Sequence, residues 1–198
     1  MVLLSRDLLF SNPKGMKLSF LRRLFHFSGI VIPITYLLLG KNPALALTTT
    51  ILVLLASAEF LRIILSLDSP FLRKHLKEKE MKNPTGSVPY MLSCLLVILL
   101  FDRLTAVASI LVLVLSDPAA SIIGSCLGRH RLLGKSVQGT TAFFLCSVVV
   151  LTFFPFGIAA RLGAAIAATL AEFFSSRFID DNLTIPLATA VVLTILAR

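Results

Sequence analysis

Seven apolar runs separated by short polar breaks organise the chain, over residues 26–39, 43–65, 87–101, 104–123, 139–154, 156–174 and 184–197. None alternates apolar and polar positions with the period of two that marks a barrel strand. Within a bilayer the backbone finds no water to bond, so isolated runs this apolar are helical. The pattern predicts an all-α fold, a polytopic membrane helix bundle of about seven transmembrane helices. Several runs fall short of the ~20 residues of a straight span. The last, 184–197, is among the shortest, and its loss from the membrane would reduce the count to six.

Composition agrees, since 57% of residues are apolar and the mean hydropathy is +0.92, beyond what a soluble domain of this length needs for its core. Residues 1–25 do not read as a secretory signal, because Arg6, Asp7, Lys14, Lys17, Arg22 and Arg23 interrupt every apolar stretch. They read as a basic cytoplasmic or interfacial arm. Cys94 and Cys146 fall inside apolar runs and Cys126 near a polar loop, without the spacing of a zinc site, so packing explains them. With no repeat and no long polar linker, residues 1–198 form one domain.

The net charge of +9 is distributed by loop. The arm, then Arg73, Lys74, Lys77, Lys79 and Lys82, then Arg129, Arg131 and Lys135 carry most of it, while the alternate loops hold little more than Lys41, Asp102, Arg103 and Arg161. By the positive-inside rule the N-terminus and the charged loops are cytoplasmic and the C-terminus lies outside. A basic inner face removes the argument for nucleic acid. The expected location is the cell membrane in a prokaryote and the endoplasmic reticulum in a eukaryote.

The same topology places Glu59, Arg62, Thr85, Gly86, Asp117, Lys135, Glu172, Asp180, Asp181 and Asn182 on the cytoplasmic side. Ionisable groups near membrane depth are costly and point to function. Glu59 and Arg62, three residues apart, could equally do no more than pair across a helix turn. The densest stretch is SDPAASIIGSCLGRHRLLGKSVQGTT, 116–141. Pro118 suits the first turn of a new helix capped by Ser116 or Asp117, so a break in the chain is expected there. Ala120, Gly124 and Gly128 make a small-residue face for a helix or a ligand. Gly134, Lys135, Ser136 and Gly139, beside Arg129, His130 and Arg131, combine free backbone N–H groups with cations, as a polyphosphate cradle does. A Walker A loop would need glycine where Arg129 stands, and a plain basic interfacial loop has a similar composition.

A second element, EFFSSRFIDDNLTIP at 172–186, adds carboxylates on the same side. Phosphoryl transfer uses Mg²⁺ held by a few carboxylates and phosphate oxygens, and Asp117, Glu172, Asp180 and Asp181 are the candidates. Asp181 or Asn182 would in any case cap the final helix.

These stretches, with RRLFHFSG at 22–29, EFLR at 59–62 and TGSVPY at 85–90, resemble the CTP-dependent lipid kinases of the dolichol, phytol and diacylglycerol kinase type, more distantly related to CDP-diacylglycerol synthases. The resemblance covers most of the chain. It implies a cytosol-facing CTP site and transfer of the γ-phosphate to the hydroxyl of a membrane lipid, with dolichol or another polyprenol the expected acceptor. It also implies roles: Asp117, Lys135, Glu172 and His26 in catalysis; Gly124, Gly128, Arg129, Arg131, Gly134, Lys135, Ser136, Gly139 and Thr140 at the nucleotide; and Asp117, Asp180 and Asp181 at Mg²⁺ or another divalent cation. Arg22, Arg23, Glu59, Arg62, Thr85, Gly86 and Asn182 would support the lipid side. Ser116 stands where the family commonly has glycine. The synthases carry a late histidine that the last span here lacks, which disfavours a cytidylyltransferase making CDP-lipid. A non-catalytic transporter or scaffold would show polar residues deep in several spans, where this chain is apolar. Partners on this reading are CTP, a lipid alcohol and the bilayer, not nucleic acid; a homo-oligomer is left open.

Overall fold

The computed structural model describes residues 26–65, 85–132, 134–175 and 180–197. The basic arm with Arg22 and Arg23, and the basic stretch holding Arg73 to Lys82, lie outside the described residues. Among the described residues the fold is all-helical apart from one short hairpin. After a helical turn at 26–28 come α1 (Val31–Leu39), α2 (Lys41–Ile64), α3 (Ser87–Leu100), α4 (Arg103–Leu127), the strands β1 (Arg131–Leu132) and β2 (Lys135–Ser136), then α5 (Val137–Thr152), α6 (Ile158–Phe173) and α7 (Asp181–Leu196). Each helix overlaps one apolar run. Two of them, α2 and α4, are long and apolar enough to cross a membrane.

The breaks follow local chemistry. Gly40 separates α1 from α2 at φ 89°, a left-handed conformation that glycine adopts without strain. The Asp102 carboxylate caps α4 by accepting from the N–H groups of Leu104 and Thr105, at 3.0 and 3.1 Å. Its charged form is favoured: burial pushes the group up, but the bonds from Thr105 and Leu104 outweigh that and hold it below the usual aspartate value. Ser136 caps α5 through Gly139 N–H at 3.1 Å, and Asp180 caps α7 through Asn182 N–H at 2.9 Å.

Helix α4 is the axis of the bundle, packed against α1, α3, α5 and α7. Of its best membrane-length window 61% is buried, against 11% for α2, which sits at the periphery with an apolar surface left bare. The expected break at Pro118 does not occur. Helix α4 continues through Asp117 and Pro118 to Leu127, and neither Ser116 nor Asp117 caps anything. A proline inside a helix loses one backbone bond and costs about 3 kcal/mol or more. The fully buried run Ala106, Val107, Ala108, Ile110, Val112, Leu113 and Val114 supplies packing that outweighs this. Ser116, deep in the same helix, is bonded by Ser147 of α5 at 3.0 Å.

The small residues expected to admit a helix or a ligand admit α5. A Cβ on Gly124 would stand 2.7 Å from Ser136 Oγ, and one on Gly139 would stand 2.9 Å from the Ala120 carbonyl and 3.3 Å from Gly124 Cα. Backbone cannot yield as a side chain does, so Gly139→Ala should destabilise the protein by about 1–3 kcal/mol. Gly157→Ala, where a Cβ meets none of the described residues within 4 Å, should leave stability unchanged. Thermal unfolding of both variants in detergent checks the contrast.

Candidate functional site

The hairpin from Gly128 to Ser136 carries the chain from α4 to α5 and turns at Gly134, whose φ of 86° suits only glycine. Arg131 pairs with Ser136 and Leu132 with Lys135 across it. This register exposes Arg131 and turns Lys135 inward. Lys135 Nζ bonds Glu172 Oε1 of α6 at 2.6 Å and Asp181 Oδ2 of α7 at 3.1 Å. Burial by itself would push this ammonium down, but the carboxylates of Asp181 and Glu172 outweigh it and hold the group above its ordinary value.

Glu172 is buried, with 5% exposure. Its second oxygen accepts from Thr140 at 3.3 Å. Ser175 donates to the same Asp181 oxygen at 3.3 Å and to the Glu172 carbonyl at 3.0 Å. Next to Asp181, Asp180 is raised by burial and then by the Asp181 charge. Asn182 reaches across to donate to the Gly86 carbonyl at 3.3 Å, and a Cβ on Gly86 would strike it at 2.7 Å. From there Thr85 donates to Glu59 at 2.8 Å, and Arg62 holds the other Glu59 oxygen at 2.6 Å. The i, i+3 pair between Glu59 and Arg62, left open by the sequence, therefore forms, and it also fastens the start of α3 to α2.

Asp117 projects from mid-α4 toward this network, near enough to Asp181, Lys135 and Glu172 to feel their charges. Its Oδ2 lies 3.8 Å from His26 Nδ1, beyond hydrogen-bond length. His26 in turn meets Tyr90 edge-on, ring centroids 5.4 Å apart.

One end of the bundle thus gathers His26, Glu59, Arg62, Thr85, Gly86, Asp117, Lys135, Thr140, Glu172, Asp180, Asp181 and Asn182. The cradle glycines are placed differently: Gly124, Gly128 and Gly139 pack on Ser136, so their open faces are filled by protein. Arg129 and Arg131 are exposed on the hairpin with His130. Sequence reasoning assigned no role to Tyr90 or Ser175, although TGSVPY and EFFSS contain them; their partners are set by packing. Among the described residues no three His, Cys, Asp or Glu side chains form a group that could hold a metal ion. An apolar cavity of about 450 Å³ lies between α4 and α5, lined by Leu115, Ala119, Cys146 and Phe153. Leu115 and Ala119 are each two positions from Asp117, roughly 200° around the helix, so the cavity faces away from the carboxylate.

The chain is similar to the uncharacterized protein RP860 of Rickettsia prowazekii (strain Madrid E), 28% identical over an alignment that covers 88% of this chain and 92% of the relative. No family model matches the chain, and no solved structure matches it.

The upward shift of Asp180 has a testable sign. A carboxyl raised in the folded state contributes stability below its unfolded value near 3.8 and loses it as pH rises through the folded value. Asp180→Asn keeps a capping oxygen and removes the buried charge. In metal-free buffer at pH 7 it should melt higher than the parent protein, and the difference should close as the pH is lowered toward 3.8.

Proposed function

We propose that the chain is a multi-pass membrane kinase of about seven spans that transfers the γ-phosphate of CTP to the hydroxyl of a lipid alcohol, dolichol or another polyprenol. The observation that carries this reading is the convergence of Lys135, Glu172, Asp181 and Asp117, from the hairpin and three helices, at one end of an apolar bundle. CTP as donor and a polyprenol as acceptor rest on the resemblance.

The donor set suits a hard divalent cation. Asp117, Glu172, Asp180 and Asp181 outnumber the single lysine among them, and all offer oxygen. Mg²⁺ binds through one or two carboxylates plus phosphate oxygens and waters rather than in an all-protein cage, which fits a site without a three-residue protein cluster. Asp117 with Asp180 or Asp181 would hold it, and it would neutralise the β- and γ-phosphates. An ammonium has three donors; Lys135 spends two on carboxylates, leaving one for a phosphate oxygen. Exposed Arg129 and Arg131 meet the outer phosphates. Such transfer depends on position and charge, with no covalent intermediate.

The alcohol proton needs an acceptor. Both Glu172 oxygens are bonded, one to Lys135 and one to Thr140, whereas His26 faces the site beside Asp117. In this reading His26 accepts the proton and Asp117 stabilises the resulting imidazolium.

Purified protein with Mg²⁺, CTP and a polyprenol should yield CDP and polyprenyl phosphate; pyrophosphate with a CDP-lipid would replace the reading by a cytidylyltransferase. Asp117→Asn and Lys135→Ala should each abolish turnover, by at least about 10³-fold, while eluting as the parent does in gel filtration. Full activity in either would remove that residue from the site. Reporters fused to the two termini should lie on opposite sides of the membrane, the N-terminal one cytoplasmic.

A further inference from the structure

The segments HFSG at 26–29 and TGSVPY at 85–90, far apart in the chain, meet in the fold. Tyr90 of α3 is 1% exposed, and its ring stands edge-on to His26. Its hydroxyl occupies the space left by the missing side chain of Gly29: a Cβ there would overlap Tyr90 Oη. The protein therefore gives up a side chain at position 29 to house this oxygen. Yet Oη is buried with no hydrogen-bond partner among the described residues, and so is the neighbouring His26 Nδ1. A buried polar atom left unpaired is destabilising, and two on rings in contact call for a shared explanation.

A single alcohol group answers both. A hydroxyl has one donor and two acceptor positions, so it can accept from Tyr90 Oη–H while donating to the His26 imidazole. We infer that Tyr90 and His26 form the subsite for the acceptor hydroxyl of the lipid, with Gly29 making room for Tyr90. This rests on the lipid-kinase reading and adds the group that recognises an alcohol rather than an apolar tail. When the alcohol oxygen attacks the γ-phosphorus, the bond to the β-phosphate oxygen breaks, CDP leaves, and the alcohol proton passes to His26. Tyr90 Oη fixes the oxygen lone pairs throughout.

The test is Tyr90→Phe, which deletes one oxygen and keeps the ring. Relative to the parent its melting temperature should be equal or higher, because a buried unsatisfied group is removed. Its KM for polyprenol should rise roughly tenfold, the worth of one hydrogen bond of about 1.4 kcal/mol, with KM for CTP unchanged. A Tyr90→Phe protein with parental KM for polyprenol overturns the subsite. A binding readout separates this outcome from failure of the kinase reading itself. In nanodiscs, displacement of a fluorescent polyenyl alcohol should show the parent preferring polyprenol over the hydrocarbon of the same tail by roughly tenfold, and Tyr90→Phe should lose most of that preference. Equal discrimination by both proteins, with or without turnover, would mean that the two atoms hold only water.

Discussion

The Lys135 ammonium sits between carboxylates from two different helices, and this contact joins the hairpin, α6 and α7 at one end of the bundle. The hairpin is short, and its residues Arg129, His130 and Arg131 are exposed. Lys135 binds it to α6 through Glu172 and to α7 through Asp181. Without the lysine, Glu172 would be a buried anion held, among the described residues, only by Thr140, and Asp181 would lose its cation. An ion pair of this kind is a poor source of stability, since desolvation offsets much of the Coulomb attraction. Its presence in an otherwise apolar bundle supports the proposed site.

The contact requires that β2 and the first turn of α5 approach α4 closely. Gly124, Gly128 and Gly139 permit it, with Ser136 seated among them and also capping α5. These glycines thus set the depth at which Lys135 enters the charged cluster. The continuity of α4 across Pro118 serves the same end. A break there would let Asp117 swing out on a loop; an unbroken, buried helix holds it facing His26 and the carboxylates. The polar network then extends through Asn182, Gly86 and Thr85 to Glu59 and Arg62, so that α2, α3, α6 and α7 share one set of bonds.

The chemical consequence is a division within one site. The carboxylates and Lys135 suit metal and phosphate, which are charged and tolerate water. His26 and Tyr90, on the other flank of Asp117, offer two buried hydrogen-bonding atoms, which in the proposed reaction suits an alcohol. Asp117 belongs to both flanks, and in the proposed reaction the transferred group would pass beside it.

The helices were legible in the chain by itself, because runs such as 43–65 and 104–123 are too apolar for any other state and glycine, proline and capping residues punctuate them. So was the membership of the charged cluster, since an ionisable residue such as Glu172 or Asp117 in an apolar setting is conspicuous. Pairing was not legible. Whether Lys135 meets Glu172 or a phosphate, whether Gly124 faces a ligand or α5, and whether Pro118 ends a helix all turn on contacts between residues far apart in sequence. Local propensity carries no information about these, and at Pro118 it pointed the wrong way because burial of α4 outweighed it. Tyr90 shows the same limit from the other side: in the sequence it is one aromatic among apolar neighbours, and only the packing of Gly29 and His26 around it reveals an oxygen held in place without a partner among the described residues.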